Sequence, residues 1–147
     1  MKKYRVELIY ESGADEPEQR ILRTSTDAVN VLRPVFEGAD REKFVVMILD
    51  AKHRAIAINV VSVGSLTASI VHARELFRPV LMLPPAAIIL AHNHPSGDAN
   101  PSSEDVELTR RLRHAGELLG IPVLDHVILG DKTHYSSRMP ARGERNR

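Results

Sequence analysis

Apolar positions recur along this chain with two different periods, and the switches between them predict its elements. Lys3 to Tyr10 alternates, with Tyr4, Val6 and Leu8 on one face, as in a half-buried strand. A charged turn over Glu11 to Glu18 follows. Thr24-Ser25-Thr26-Asp27 then offers caps for a helix bearing Ala28, Val29, Val31, Leu32 and Val35, which Pro34 kinks or shortens and Gly38 ends. Phe44 to Leu49 is apolar throughout and reads as a central strand, joined by a hairpin turn over Asp50–Arg54 to a second strand, Ala55 to Val63. Helical spacing returns over Thr67 to Leu83, with Ile70, Leu76, Phe77 and Val80 inward and Arg74, Glu75 and Arg78 outward, until Pro84-Pro85 stops it. Ala86 to Ala91 is the third apolar strand. Ser102 to Leu119 is the most regular helix, closed by Gly120 and Pro122, and Val123 to Leu129 is a last core strand. Thr133 to Ser137 offers one more. Strands and helices alternate from Phe44 onward, the pattern of an α/β fold with a mixed sheet flanked by helices. The expected organisation is a strand–helix extension over 1–40 packed on the core, a main domain over 41–138, and a flexible basic tail over 139–147.

Composition changes this picture mainly by exclusion. The 147 residues suffice for one domain with its own core. Cysteine is absent, so disulfides, thiolate nucleophiles and Cys-bound zinc are excluded, and a metal here needs His and carboxylate ligands. A formal net charge of +1 provides no global field toward nucleic acid or anionic lipid. The apolar run from Pro84 to Ala91 is far too short for a bilayer, and the N-terminus lacks the apolar centre of a signal peptide. The expectation is a soluble, cytoplasmic protein with no membrane partner.

The chemistry concentrates where the third strand ends, in Ala91-His92-Asn93-His94-Pro95-Ser96-Gly97-Asp98. Residues two apart in extended chain share a face, so His92 and His94 project together, with Cβ atoms roughly 6 to 7 Å apart. Two imidazoles so placed can converge on one zinc ion at about 2.0 to 2.1 Å per bond. On the following helix, Asp105, Leu108, Leu112, Ala115 and Leu119 fall on one face, which sets Asp105 at the start of the buried stripe. Two His and one carboxylate leave a tetrahedral position open, the arrangement of a catalytic zinc site. Two plainer readings compete: a His pair at a strand end can be a surface accident, and Ser102-Ser103-Glu104-Asp105 also reads as a capping box with Ser102 as N-cap.

His92-Asn93-His94-Pro95, with Ser102 ten and Asp105 thirteen residues after His92, resembles the JAMM motif of JAB/MPN+ metalloproteases. The stretches HNHPSGD, PSSEDVELT, AGELLGI, LDHVILG and VHARELF resemble the RadC branch of that family, over about Glu42 to Ser137. The resemblance implies a JAB/MPN-type, cytidine-deaminase-like fold and a Zn2+ ion held by His92, His94 and Asp105. It implies a zinc-dependent hydrolase, a metallopeptidase or isopeptidase cleaving an amide bond with a metal-activated water. It further implies a general base upstream of a central strand, the place Glu42 occupies, and an oxyanion donor at Ser102. Spacing alone does not choose Glu42 over Glu37 or Glu75. Ala73 departs from the Pro usual in the RadC pattern, and the helical DNA-binding-like region of longer members does not precede the domain, so a short, stand-alone form is expected.

His126 lies in the last core strand, either as a support behind the metal or as a satisfied core histidine. Asp98 reads as a turn aspartate, and His53, His72, His114 and His134 fall in turns or on exposed faces. The contiguous His-Asn-His is unlike an HNH nuclease, whose namesake residues are scattered over a ββα unit. The expected partner is a peptide or protein substrate, and the Lys3–Tyr10 edge offers pairing to a second copy, a homodimer. The other functional class is a non-catalytic, metal-stabilised binding module for nucleic acid or a protein partner, suggested by the RadC likeness and the Arg-rich tail.

Overall fold

The computed structural model describes residues 1–3, 5, 21–64 and 71–138. At its centre is a sheet of β1 (Lys43–Leu49), β2 (Ala55–Val63), β3 (Ala87–Asn93), β4 (Val123–Leu129) and β5 (His134–Ser136), in the order β2-β1-β3-β4-β5. β3 and β4 run parallel and the other neighbours antiparallel, so the sheet is mixed, as the alternation of elements predicts. A parallel pair needs a crossover connection, and α3 (Ser103–Leu119) supplies it.

Helices cover both faces, which explains why β1 and β3 are apolar without alternation. On one face, Val45, Met47, Leu49, Ile89 and Ala91 pack with Ala28, Val29 and Leu32 of α1 (Ser25–Leu32) and with Phe36. On the other, Phe44, Val46, Ile48, Ile88 and Leu90 pack with Leu76, Phe77 and Val80 of α2 (Ala73–Val80) and with Leu108 and Leu112 of α3. His92 continues the series of Ile88 and Leu90, and so belongs to the α3 face.

Several boundaries move by a few residues for local reasons. Thr24 caps α1 in a reciprocal capping box with Asp27, and Pro34 converts the next turn to a 3₁₀ turn, Arg33–Phe36. The helix expected from Thr67 begins at Ala73, because His72 is extended (φ −88°, ψ 138°). β3 runs two residues past Ala91 and takes His92 and Asn93 into the sheet. The hairpin turn is present, with Asp50 Oδ1 accepting from the amides of Lys52 and Arg54 at 2.8 and 2.9 Å. Gly120 closes α3 in the left-handed conformation at φ 71°. Tyr4, Val6 and Leu8 of the first expected strand, the charged turn after it, Thr67–Ile70 and the basic tail lie outside the described residues. Among the described residues, no helix is long and apolar enough to cross a membrane.

Candidate metal centre

His92 occupies the sixth position of β3, beside Phe44 of β1 and Ile128 of β4, and is completely buried. Its ring stacks on Phe44, with centroids 5.8 Å apart and planes within 12°. His94 lies just past the strand, where its amide donates to the Leu129 carbonyl at 2.9 Å and keeps the chain on the parallel register. Asp105 sits at the third position of α3, under its N-cap Ser102, and is also buried.

These three side chains meet. His92 Nε2 and His94 Nε2 are 3.1 Å apart; Asp105 Oδ1 is 3.2 Å from the first and Oδ2 is 3.1 Å from the second. Atoms ligating one tetrahedral zinc at its usual bond lengths lie roughly 3.3 Å from one another, so this triangle has nearly the required size. Among the described residues, no other group of His and carboxylate side chains is placed to hold an ion.

The protons support the same fit. His94 Nδ1 faces the Asp98 carbonyl at 2.7 Å, and a carbonyl only accepts, so the His94 hydrogen is on Nδ1 and its Nε2 offers a lone pair. Burial pushes the Asp105 carboxyl up, but the facing His92 ring and the hydrogen bond from the Ser102 amide outweigh it, holding the group well below the usual carboxylate range. Lone pairs and a carboxylate turned toward one point repel each other unless a cation or proton lies between them. The donor set, two imidazoles and one carboxylate, suits zinc.

The capping reading of Ser102 and Asp105 holds together with the metal reading. Ser102 Oγ accepts from the Asp105 amide at 3.1 Å, while Asp105 Oδ2 accepts from the Ser102 amide at 2.9 Å. The cap therefore aims the carboxylate, and its remaining capacity faces the imidazoles. Ser102 is exposed, and its hydroxyl hydrogen is not used by the cap.

Glu42 is half-buried and immediately precedes β1. The β1–β3 register pairs Phe44 with His92, and carried two residues back it sets Glu42 opposite His94. Glu42 is not a member of the metal-sized cluster. Its backbone is pinned: Asn93 Oδ1 accepts from the Lys43 amide at 2.7 Å, Asn93 Nδ2 donates to the Arg41 carbonyl at 3.0 Å, and the Gly64 amide donates to the Glu42 carbonyl at 2.8 Å. Glu75 is exposed on α2.

Sequence reasoning passed over Asn93 and Thr109. A buried polar residue between the two histidines, and a polar residue four after Asp105 on an inward stripe, are the signals that mark them. His126 is both readings at once, a fully buried histidine and a support behind the site: its Nε2 is 2.7 Å from His92 Nδ1 and its Nδ1 is 2.5 Å from Thr109 Oγ1. Burial holds the His126 ring well below its ordinary range, with His92 adding to the effect. Asp98 is a turn residue, its carboxylate accepting from the Asn100 amide at 3.0 Å.

The turn after His94 is fixed by two close approaches, one to a side chain and one to backbone. A Cβ on Gly97 would meet Asp131 Oδ2 at 2.7 Å, and a Cβ on Gly130 would meet the Gly97 carbonyl. Arg33 ties the same Gly130–Asp131 loop down by donating to both carbonyls, at 3.2 and 3.3 Å.

Comparison with known proteins identifies the family. The model of the RadC-like JAB domain family matches residues 22–142. A "UPF0758 protein" of Alkaliphilus metalliredigens (strain QYMF) is 49% identical over 115 residues, covering 78% of this chain and 50% of the relative. Another from Methanosarcina mazei is 44% identical over 126 residues, 86% of this chain and 55% of the relative. One from Syntrophotalea carbinolica is 52% identical over 96 residues, 65% of this chain and 42% of the relative. The chain thus spans about half the length of these relatives.

Proposed function

From the premise that this chain belongs to the RadC-like JAB domain family, we propose that it is a zinc-dependent hydrolase cleaving an amide bond in a peptide or protein. The observation that carries the proposal is the triangle of His92 Nε2, His94 Nε2 and Asp105 oxygens, with edges of 3.1 to 3.2 Å. Those three residues would hold the metal. Bound there, zinc would supply Lewis acidity, which brings the pKa of a water down toward about 7.

The chain's own groups do the rest. In this reading the Glu42 carboxylate accepts a proton from the water that attacks the amide carbon, then delivers it to the departing nitrogen as the C–N bond breaks. The clamp of Asn93 on both sides of Glu42 supports this role, because a base must be held in place to act on a water. Ser102 donates its free hydroxyl hydrogen to the oxygen that gains charge, while its lone pair keeps the Asp105 amide capped. A cavity of about 530 Å³ whose lining includes Asp105, Thr109 and His126 lies beside the site.

Metal analysis by mass spectrometry after zinc supply tests the reading. The wild-type protein is expected to hold one zinc, and His92→Ala and Asp105→Ala to hold none. A wild type that never takes up stoichiometric zinc would end the proposal. Glu42→Gln should keep zinc and lose cleavage of a peptide library. A Glu42→Gln variant that supports every cellular function lost in His92→Ala would favour the binding module over the enzyme.

A further inference from the structure

The polar contacts behind His92 accept one consistent assignment of donors, which starts from the Thr109 hydroxyl. Thr109 stands four residues after Asp105 on α3, and its hydroxyl donates to the Asp105 carbonyl at 2.7 Å. With its one hydrogen committed, Thr109 Oγ1 can only accept from its other neighbour, His126 Nδ1, at 2.5 Å. His126 Nδ1 therefore carries a hydrogen. With its hydrogen on Nδ1, the neutral imidazole leaves Nε2 as a bare acceptor. That acceptor faces His92 Nδ1 at 2.7 Å and requires the His92 hydrogen to sit there. His92 Nε2 is left with its lone pair, turned toward His94 and Asp105.

We propose that His126 and Thr109 are positioning residues that select the His92 tautomer able to bind a cation, an inference that rests on the metal reading above. The line begins at the Asp105 carbonyl, which accepts from Thr109, and ends at His92 Nε2, whose lone pair faces the Asp105 carboxylate, so one residue stands at both ends. Phe44 prevents escape by ring rotation, lying stacked on His92 and edge-on to His126 at 5.4 Å. Replacing the Thr109 hydroxyl by a methyl removes the acceptor that holds hydrogen on His126 Nδ1. The hydrogen of His126 is then free to move to Nε2, where it takes the place of the His92 donor. His92 in turn carries its hydrogen on Nε2, and that side closes to a cation. Supporting groups of this kind typically contribute about 10- to 100-fold to metal affinity.

Ring ¹⁵N shifts of His92 and His126, read in the full chain with and without zinc, test the direction of the relay. Zinc affinity by chelator competition, for the wild type, Thr109→Ser and Thr109→Val, tests its consequence. The expected spectra put hydrogen on Nδ1 of both rings and none on His126 Nε2 in either state. Thr109→Ser should bind zinc within about threefold of wild type and Thr109→Val about 10- to 100-fold more weakly. Hydrogen on His126 Nε2 in the wild type, or undiminished affinity in a folded Thr109→Val, overturns the inference. If Thr109→Val does not fold, the wild-type spectra decide alone. A wild type that takes up no zinc defeats the metal reading, and its metal-free spectra still judge the relay.

Discussion

Asp105 and Asp125 are both buried, at 5% and 3% exposure, on elements that pack against each other, yet their pKa values move in opposite directions. Asp105 has both oxygens engaged, one with His92 and the other with His94 and the Ser102 amide. Its carboxyl is held well below the usual range although burial pushes it up. Asp125 Oδ2 accepts from Ser136 Oγ at 2.7 Å, and its Oδ1 has no partner. Burial raises its pKa, and that shift prevails over the hydrogen bonds and over the nearby charge of Arg113. The difference teaches that burial alone does not mark a functional carboxylate. What marks Asp105 is that the Ser102 amide and two imidazoles converge on its oxygens, while one oxygen of Asp125 has no partner.

Exchanging each carboxylate for its amide is the most forceful way to break the comparison. Asp105→Asn loses the anionic ligand, and zinc affinity should fall by more than about a hundredfold, beyond what supporting residues contribute. Asp125→Asn should leave it unchanged. Chelator competition on both variants reads the contrast, and equal losses would erase the distinction between the two sites.

A second prediction asks whether the ordered site depends on its loops. In Gly130→Ala the new Cβ meets the Gly97 carbonyl, which is backbone and cannot swing aside. The turn carrying His94 and the Asp98 carbonyl must then shift. Stability is expected to drop by about 1 to 3 kcal/mol, the usual scale for overpacking, as measured by the urea midpoint at constant slope. Gly130 is not among the glycines with positive φ, so the clash alone carries the expected loss.

Much of this contrast was legible in the sequence. The His-x-His at the end of an apolar strand and the inward place of Asp105 followed from periods of two and of three to four. The capping box and the metal group looked like rivals, because sequence spacing does not show that one carboxylate can accept an amide hydrogen and still face two imidazoles. Thr109 was hidden because a threonine on a helix stripe is ordinary until the residue across from it is known. That residue, His126, arrives from β4 through a parallel crossover, a pairing no local pattern reports. Asn93 was hidden for a related reason: its partners are backbone atoms of Arg41 and Lys43, fifty positions away.

Asn93→Ala sharpens the comparison at lower cost to the fold. The amide of Lys43 loses its acceptor, and one such hydrogen bond is worth about 0.5 to 1.5 kcal/mol. Exchange of the Lys43 amide hydrogen should accelerate by about three- to tenfold on that scale, while zinc affinity stays near wild type. Unchanged exchange would mean that the clamp does not hold the Glu42 segment.

The smallest expected effect lies at Asp125, and its sign follows from linkage. The folded state raises this pKa above its unfolded value, near 3.9, so the unfolded chain gives up the proton first as pH rises. Any stability gained from the protonated form is therefore complete below about pH 4 and is lost as pH climbs through the folded value. Above that value an ionised group is buried with one oxygen unmet, a cost of about 1 kcal/mol. The neutral amide of Asp125→Asn avoids that cost while leaving an oxygen to accept from Ser136. In metal-free protein, the variant should thus exceed the wild type in Tm at pH 7, and the gap should close as pH falls toward 4. A wild type that is the more stable at pH 7 would mean that the charge of Arg113 governs this site, and the two carboxylates would then differ in degree rather than in kind.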